Sequence, residues 1–263
     1  MKVVVITGST RGIGHGLAES FLALGCAVVI SGRTQGAVEE AVAKLSARHQ
    51  RDHILGQPCD VTQFDQVQAL WEAAKTRFGR VDIWINNAGI GHPLREMWQL
   101  SPDQIRGVMD TNLVGALHGA KVALTGMLDQ GFGAIYNMEG MGSSGRVQRG
   151  MAVYGCSKAG LRYLTDALVE ETRGTPVLVA AIRPGMVMTH LLTQHREEQP
   201  EEWERSKRIF NILADRVETV TPWLAGRILD NQRAGVRISW LTRGKSMTRF
   251  LSAPFHNREV VDD

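Results

Sequence analysis

Three groupings in the 263-residue chain have the residue types and spacing for chemistry. Tyr154 and Lys158 stand four residues apart in a stretch with helical spacing, so a phenol and an ammonium share one face. A free tyrosine titrates near pH ~10, and an adjacent cation lowers that value. The run Thr7-Gly8-Ser9-Thr10-Arg11-Gly12-Ile13-Gly14 follows a β-branched segment and opens a helical one. Glycines there permit a tight turn and let backbone N–H groups approach a pyrophosphate at a helix N-terminus. Its G-x-x-x-G-x-G spacing differs from the usual G-x-G-x-x-G dinucleotide fingerprint, although its place after the first strand is the same. The third grouping, Glu139-Gly140-Met141-Gly142-Ser143, sets an acid among glycines at the end of an apolar run.

About twenty residues beyond such a glycine loop, a site that prefers NAD offers an acid to the ribose 2′-hydroxyl. This chain has Ser31-Gly32-Arg33-Thr34 instead. Arg33 and Arg11 suit charge-assisted hydrogen bonds to a 2′-phosphate, and no carboxylate competes in that turn. NADPH is therefore the expected cofactor.

The elements that must position these residues alternate regularly. Short apolar runs at 3–6, 27–30, 54–55, 81–85, 134–138, 177–182 and 236–241 read as strands. Between them lie helical patterns, including one from about Asn112 to Leu128 and one from Ala152 to Thr172. Ser101-Pro102-Asp103-Gln104 carries the signature of a helix start. Continuously apolar strands separated by helices imply an α/β fold with a doubly wound parallel sheet buried on both faces. No linker breaks the chain, so residues 1–263 read as one domain, with 186–231 as a helical substrate-covering insertion before the last strand.

Composition narrows the partners. Basic residues are scattered and the net charge is only +3, which argues against a nucleic-acid groove. No run approaches the ~20 apolar residues of a transmembrane helix. The first residues lack a signal-peptide cleavage site. Cys26, Cys59 and Cys156 fit neither a disulfide framework nor a zinc site, and they are expected to be reduced, buried thiols of a cytosolic protein. No metal site is expected.

The glycine loop, Asn86-Asn87-Ala88-Gly89, Asn112, Tyr154-Gly155-Cys156-Ser157-Lys158 and Pro184-Gly185 occur in an order that resembles the short-chain dehydrogenase/reductase family. The resemblance implies a Rossmann-like domain, a nicotinamide cofactor and a homodimer or homotetramer. It places Asp60 and Val61 beside the adenine and Asn87, Ala88 and Gly89 along the cofactor. Pro184, Gly185, Val187 and Thr189 fall on the nicotinamide side. Tyr154 becomes the general acid, Lys158 its cationic neighbour and ribose ligand, and Asn112 the holder of a relay water. Where the family has a serine, thirteen residues before the tyrosine, this chain has Met141. Ser143 is the expected substitute donor.

The segment from Asn137 to Arg146, with Phe210-Asn211-Ile212-Leu213-Ala214 and residues 237–245, further resembles the chlorophyll b reductases, which carry an aspartate in place of Glu139. That resemblance implies NADPH-dependent reduction of the C7 formyl group of chlorophyll(ide) b to hydroxymethyl. Glu139, Met141 and Met186 are then expected to meet the substrate. Gly140, Gly142 and Gly145 would leave room for a flat macrocycle, and His92, His190 or His195 could ligate its magnesium. The alternatives are a reductase for another apolar carbonyl, such as a 3-oxoacyl thioester or steroid, and a non-catalytic NADP(H)-binding protein. The expected location is the bacterial cytoplasm, or the plastid stroma for a processed plant form.

Overall fold

A computed structural model of the chain describes residues 1–193, 200–255 and 258–261. The chain starts with β1 (Val3–Ile6), α1 (Gly12–Ala23), β2 (Ala27–Gly32), α2 (Gln35–Ser46), β3 (Ile54–Pro58), α3 (Phe64–Phe78) and β4 (Ile83–Asn86). It continues with α4 (Pro102–Met109), a π-helical turn at Asp110–Val114, α5 (Gly115–Gln130), β5 (Gly133–Met138), α6 (Ala152–Glu171) and β6 (Val177–Arg183). The remainder is β7 (Val187–Met188), α7 (His190–Thr193), α8 (Pro200–Leu213), β8 (Asp215–Arg216), α9 (Val217–Asp230), β9 (Arg237–Ser239) and α10 (Arg243–Ser252).

Seven strands form one parallel sheet in the order β3-β2-β1-β4-β5-β6-β9. The sheet is Rossmann-like, and the apolar strand runs explain it. Every residue of β1 and β2 is buried, because helices cover both faces. One core joins Leu17 and Phe21 of α1 to Val220, Leu224 and Ile228 of α9. The other joins Leu70 and Trp71 of α3 to Ala123 and Met127 of α5.

Three expectations are revised. Residues 186–231 are not all a cover over the substrate, since α9 is a core helix packed on α1. A Cβ on Gly16 of α1 would come 2.3 Å from Val217 Cγ1, so the two helices touch almost backbone to backbone. The last strand is only Arg237–Ser239; beyond it the Trp240 N–H still donates to the Arg183 carbonyl at 3.0 Å, while its indole donates to Asp215 Oδ2 at 2.6 Å. Cys156 is exposed, while Cys26 and Cys59 are buried free thiols and burial pushes Cys59 up to about 12.

The reversal of strand order between β1 and β4 puts the loops after these strands on either side of a crevice at the C-terminal edge of the sheet. The α1–α9 contact sets where the N-terminus of α1 meets that crevice. Gly16→Val is expected to destabilise the fold by about 1–3 kcal/mol through overpacking. Urea unfolding monitored by circular dichroism checks it.

Candidate active site

The glycine loop turns out of β1 with Gly8 at φ +62° and Gly12 at +58°. Helix α1 then begins at Arg11 without a side-chain cap. Its first N–H groups face the crevice edge, where a helix N-terminus favours an anion. Asn87, just past β4, donates from Nδ2 to the carbonyls of Thr7 and Gly8 at 2.8 and 3.0 Å, which fixes the loop. A Cβ on Gly14 would lie 2.5 Å from that same Nδ2, so only glycine fits there. Thr7 Oγ1 accepts from the backbone N–H of both Asn87 and Ala88. Thr189 closes over the loop from the other side, 3.4 Å from where a Gly12 Cβ would be. Arg11 and Arg33 are exposed at this end and make no ion pair among the described residues. These features fit a dinucleotide phosphate. Asp60 at the sheet edge already uses Oδ1 to accept from the Thr62 N–H and hydroxyl, and this turn leads into α3.

The second half of the site lies where α6 passes the ends of β4 and β5. Gly89, Asn112 and Lys158 converge: a Cβ on Gly89 would lie 3.3 Å from Asn112 Oδ1 and 3.7 Å from Lys158 Nζ. Asn112 is buried inside the π-helical turn. Its amide accepts from the Ile90 N–H at 2.8 Å and donates to the Ile90 carbonyl and to Ser157 Oγ. Such turns often mark functional sites inside helices. Lys158 is buried, donates from Nζ to the Met138 carbonyl at 2.9 Å, and lies 5.8 Å from the Tyr154 ring centre. Desolvation brings Lys158 down to about 8, with the Glu139 carboxylate acting against that fall.

Burial pushes the Tyr154 hydroxyl up to about 12. Desolvation is the cause of that rise, so in the protein alone the phenol holds its proton.

The loop after β5 also departs from expectation. Gly140 occupies the crowded place beside the phenol, since its Cβ would lie 2.7 Å from Tyr154 Oη. Gly142, at φ +98°, lets the loop touch the backbone of Gly155, 2.5 Å from its would-be Cβ. It serves contact with α6 and not open space for a macrocycle, whereas Gly145 does face open space. Ser143 is buried and its carbonyl accepts from Arg162 Nη1 at 2.9 Å. Met141 and Met186 are partly exposed along the cleft segments.

Glu139 does not offer its carboxylate to a substrate. Its side chain is 0% exposed, and both oxygens are taken by Arg183 at 2.5 Å and Arg237 at 3.2 Å. His92 is equally occupied: Nδ1 lies 2.8 Å from the Pro93 carbonyl, and Nε2 accepts from the Tyr154 N–H at 3.2 Å. It caps the first turn of α6 and has no nitrogen left for a magnesium ion. His190 is exposed, and His195 lies outside the described residues. Sequence spacing gave no sign of the Arg183 and Arg237 partnership or of the His92 cap.

Residues 2–200 match the short chain dehydrogenase family. The chain belongs to that family. This short-chain dehydrogenase is 35% identical over 266 residues to a "probable chlorophyll(ide) b reductase NYC1, chloroplastic" of Oryza sativa subsp. japonica, covering 95% of this chain and 52% of the relative. It is 34% identical over 273 residues to the "chlorophyll(ide) b reductase NOL, chloroplastic" of the same plant, covering 99% and 78%. It thus spans about half the length of the first of these relatives. Among solved structures, an actinorhodin polyketide ketoreductase variant with NADPH superposes with a TM-score of 0.80 at 27% identity, over 91% of this chain and 95% of the other. A 3-ketoacyl-(acyl-carrier-protein) reductase from Brucella melitensis complexed with NADH gives 0.78 at 25%, over 91% and 96%. The short-chain dehydrogenase is thus an oxidoreductase with a nicotinamide-binding fold, and no helix among its described residues is long and apolar enough to cross a membrane.

Removing the α6 cap should weaken the helix that carries Tyr154. His92→Ala is expected to lower stability by about 1 kcal/mol, the usual worth of a lost N-terminal acceptor. Chemical denaturation at neutral pH measures it.

Proposed function

We propose that this chain is an NADPH-dependent carbonyl reductase that converts the C7 formyl group of chlorophyll(ide) b to hydroxymethyl. The observation that carries the reading is the convergence of Tyr154, Lys158, Asn112 and Gly89 beside a glycine loop built for a dinucleotide. The substrate rests on the likeness to the two chlorophyll(ide) b reductases, which extends through the loop where the family serine is missing.

Gly8, Ser9, Thr10, Gly12, Ile13 and Gly14 would hold the pyrophosphate, with Arg11 and Arg33 on the 2′-phosphate. Asp60 and Val61 would border the adenine; Asn87, Ala88, Gly89, Pro184, Gly185, Val187 and Thr189 would line the rest. Bound NADPH supplies the hydride. Tyr154 gives its proton to the carbonyl oxygen as negative charge develops there, a role suited to a phenol that stays protonated up to about 12. Lys158 steadies that charge and holds the ribose, and Asn112 keeps the proton path in place. Ser143 supplies the second hydrogen bond to the carbonyl.

A second reading keeps the mechanism and changes the substrate to another apolar ketone, favoured by the likeness to the polyketide ketoreductase. Mixing the protein with NADPH and chlorophyllide b separates the two. Conversion of the formyl to the hydroxymethyl chromophore is expected, and an unchanged spectrum alongside reduction of a 3-oxoacyl thioester would select the second reading.

Three further outcomes follow from the site. Tyr154→Phe should lower kcat by at least about 100-fold while NADPH binding persists, as expected for a general acid. Lys158 is charged below about pH 8 and neutral above it, so the reduction rate should fall as pH rises through about 8. A pH profile of NADPH oxidation checks this. NADPH should also outperform NADH, and Arg33→Ala should erase much of that preference.

A further inference from the structure

Glu139 is fully buried, carries a negative charge and touches nothing that reacts, yet it sits between two backbone positions that define the proton-transfer pair. Met138, on one side, gives the carbonyl that holds Lys158 Nζ at 2.9 Å. Gly140, on the other, leaves the space that the Tyr154 hydroxyl occupies. The Glu139 N–H donates to the Ile182 carbonyl at 2.9 Å, extending the β5–β6 ladder by one bond. Its carboxylate then bridges Arg183 at the end of β6 and Arg237 at the start of β9. Arg237 also pairs with Asp166 on α6, the helix of Tyr154 and Lys158. The quartet of two arginines and two acids is neutral overall and ties three strands to the catalytic helix.

We propose that Glu139 is a positioning residue: clamped by Arg183 and Arg237, it fixes the Met138–Gly140 turn that sets Lys158 against Tyr154. This rests on the reading of Tyr154 and Lys158 as the proton-transfer pair.

The charged and titratable groups facing Lys158 can be named element by element. Tyr154 shares its helix, Glu139 comes from the end of β5, and Arg183 and Arg237 stand behind Glu139 on β6 and β9. Asp166 and Arg162 lie further along α6, paired with each other at 3.7 Å. Asn112 approaches from the π-helical turn and is uncharged. Glu139 is thus the acid whose field reaches Lys158, opposing its desolvation. Among the described residues Arg183 Nη2 is buried without a hydrogen-bond partner, which leaves Glu139 as the anion that compensates this arginine.

A purely structural strut and a positioning charge differ in one readout. Protein labelled with 13C-lysine reports the Lys158 side-chain resonance over roughly pH 6 to 11, assigned by its absence in Lys158→Met. In the native chain the midpoint is expected at about 8. Glu139→Gln removes the opposing negative charge and should move it down. Arg237→Gln removes a positive charge from the same quartet and should move it up. Reduction of chlorophyllide b should decline at correspondingly lower pH in Glu139→Gln. Opposite shifts support the proposal; unmoved midpoints, or shifts of the same sign, overturn it. If Glu139→Gln does not fold, Arg237→Gln carries the test alone, and an unmoved midpoint overturns the proposal. Opposite shifts in a chain that reduces no carbonyl would support the placement of Lys158 by Glu139 while contradicting the proposed function.

Discussion

A buried ammonium governs the architecture of this site. Lys158 is only 4% exposed, and desolvation takes it from 10.5 to about 8. Keeping it charged at neutral pH costs about 3 kcal/mol, at 1.36 kcal/mol per pKa unit. Since the unfolded chain holds that proton up to a higher pH, stability rises between about 8 and 10.5 as the cost disappears. A fold accepts such a cost where the charge has a task and the surroundings partly compensate it. Here the compensation comes from the Met138 carbonyl and the Glu139 carboxylate. Both lie at the C-terminal end of β5, where the parallel sheet gathers its loops.

The same constraint accounts for the glycines around the site. A phenol and an ammonium packed against a strand end leave no space for a side chain at Gly140, and the loop can turn back onto α6 only through Gly142. On the opposite side of the crevice, Gly14 yields to the Asn87 amide that braces the glycine loop. Close approach of backbone to side chains thus requires glycine in both halves of the site. Open space for a large substrate is a property of Gly145 and not of the whole cluster.

Much of this was legible in the sequence because it depends on local pattern. Buried strands announce themselves as apolar runs, the Ser101–Gln104 capping box forms as its spacing indicates, and the four-residue step from Tyr154 to Lys158 survives as one helical face. What the sequence could not show depends on distant partners. Glu139 meets arginines 44 and 98 residues away, and His92 reaches the Tyr154 N–H across 62 residues. A lone acid near Tyr154 reads as a substrate ligand until its counter-ions are located. The π-helical turn around Asn112 was likewise hidden, since one extra residue in a helical turn leaves no mark in the hydrophobic period. The strand at 236–241 read too long for the opposite reason: its apolar pattern continues past the last paired residue, Ser239.

The proposed reaction carries a hydride from NADPH to the formyl carbon of a chlorophyll b-type tetrapyrrole, with the proton delivered by Tyr154. The most direct measurement supplies NADPH deuterated on the transferred position and chlorophyllide b, then locates the label in the product by mass spectrometry and proton NMR. One deuterium is expected on the new hydroxymethyl carbon. An unreduced formyl group, or a reduced product without deuterium at that carbon, would contradict it.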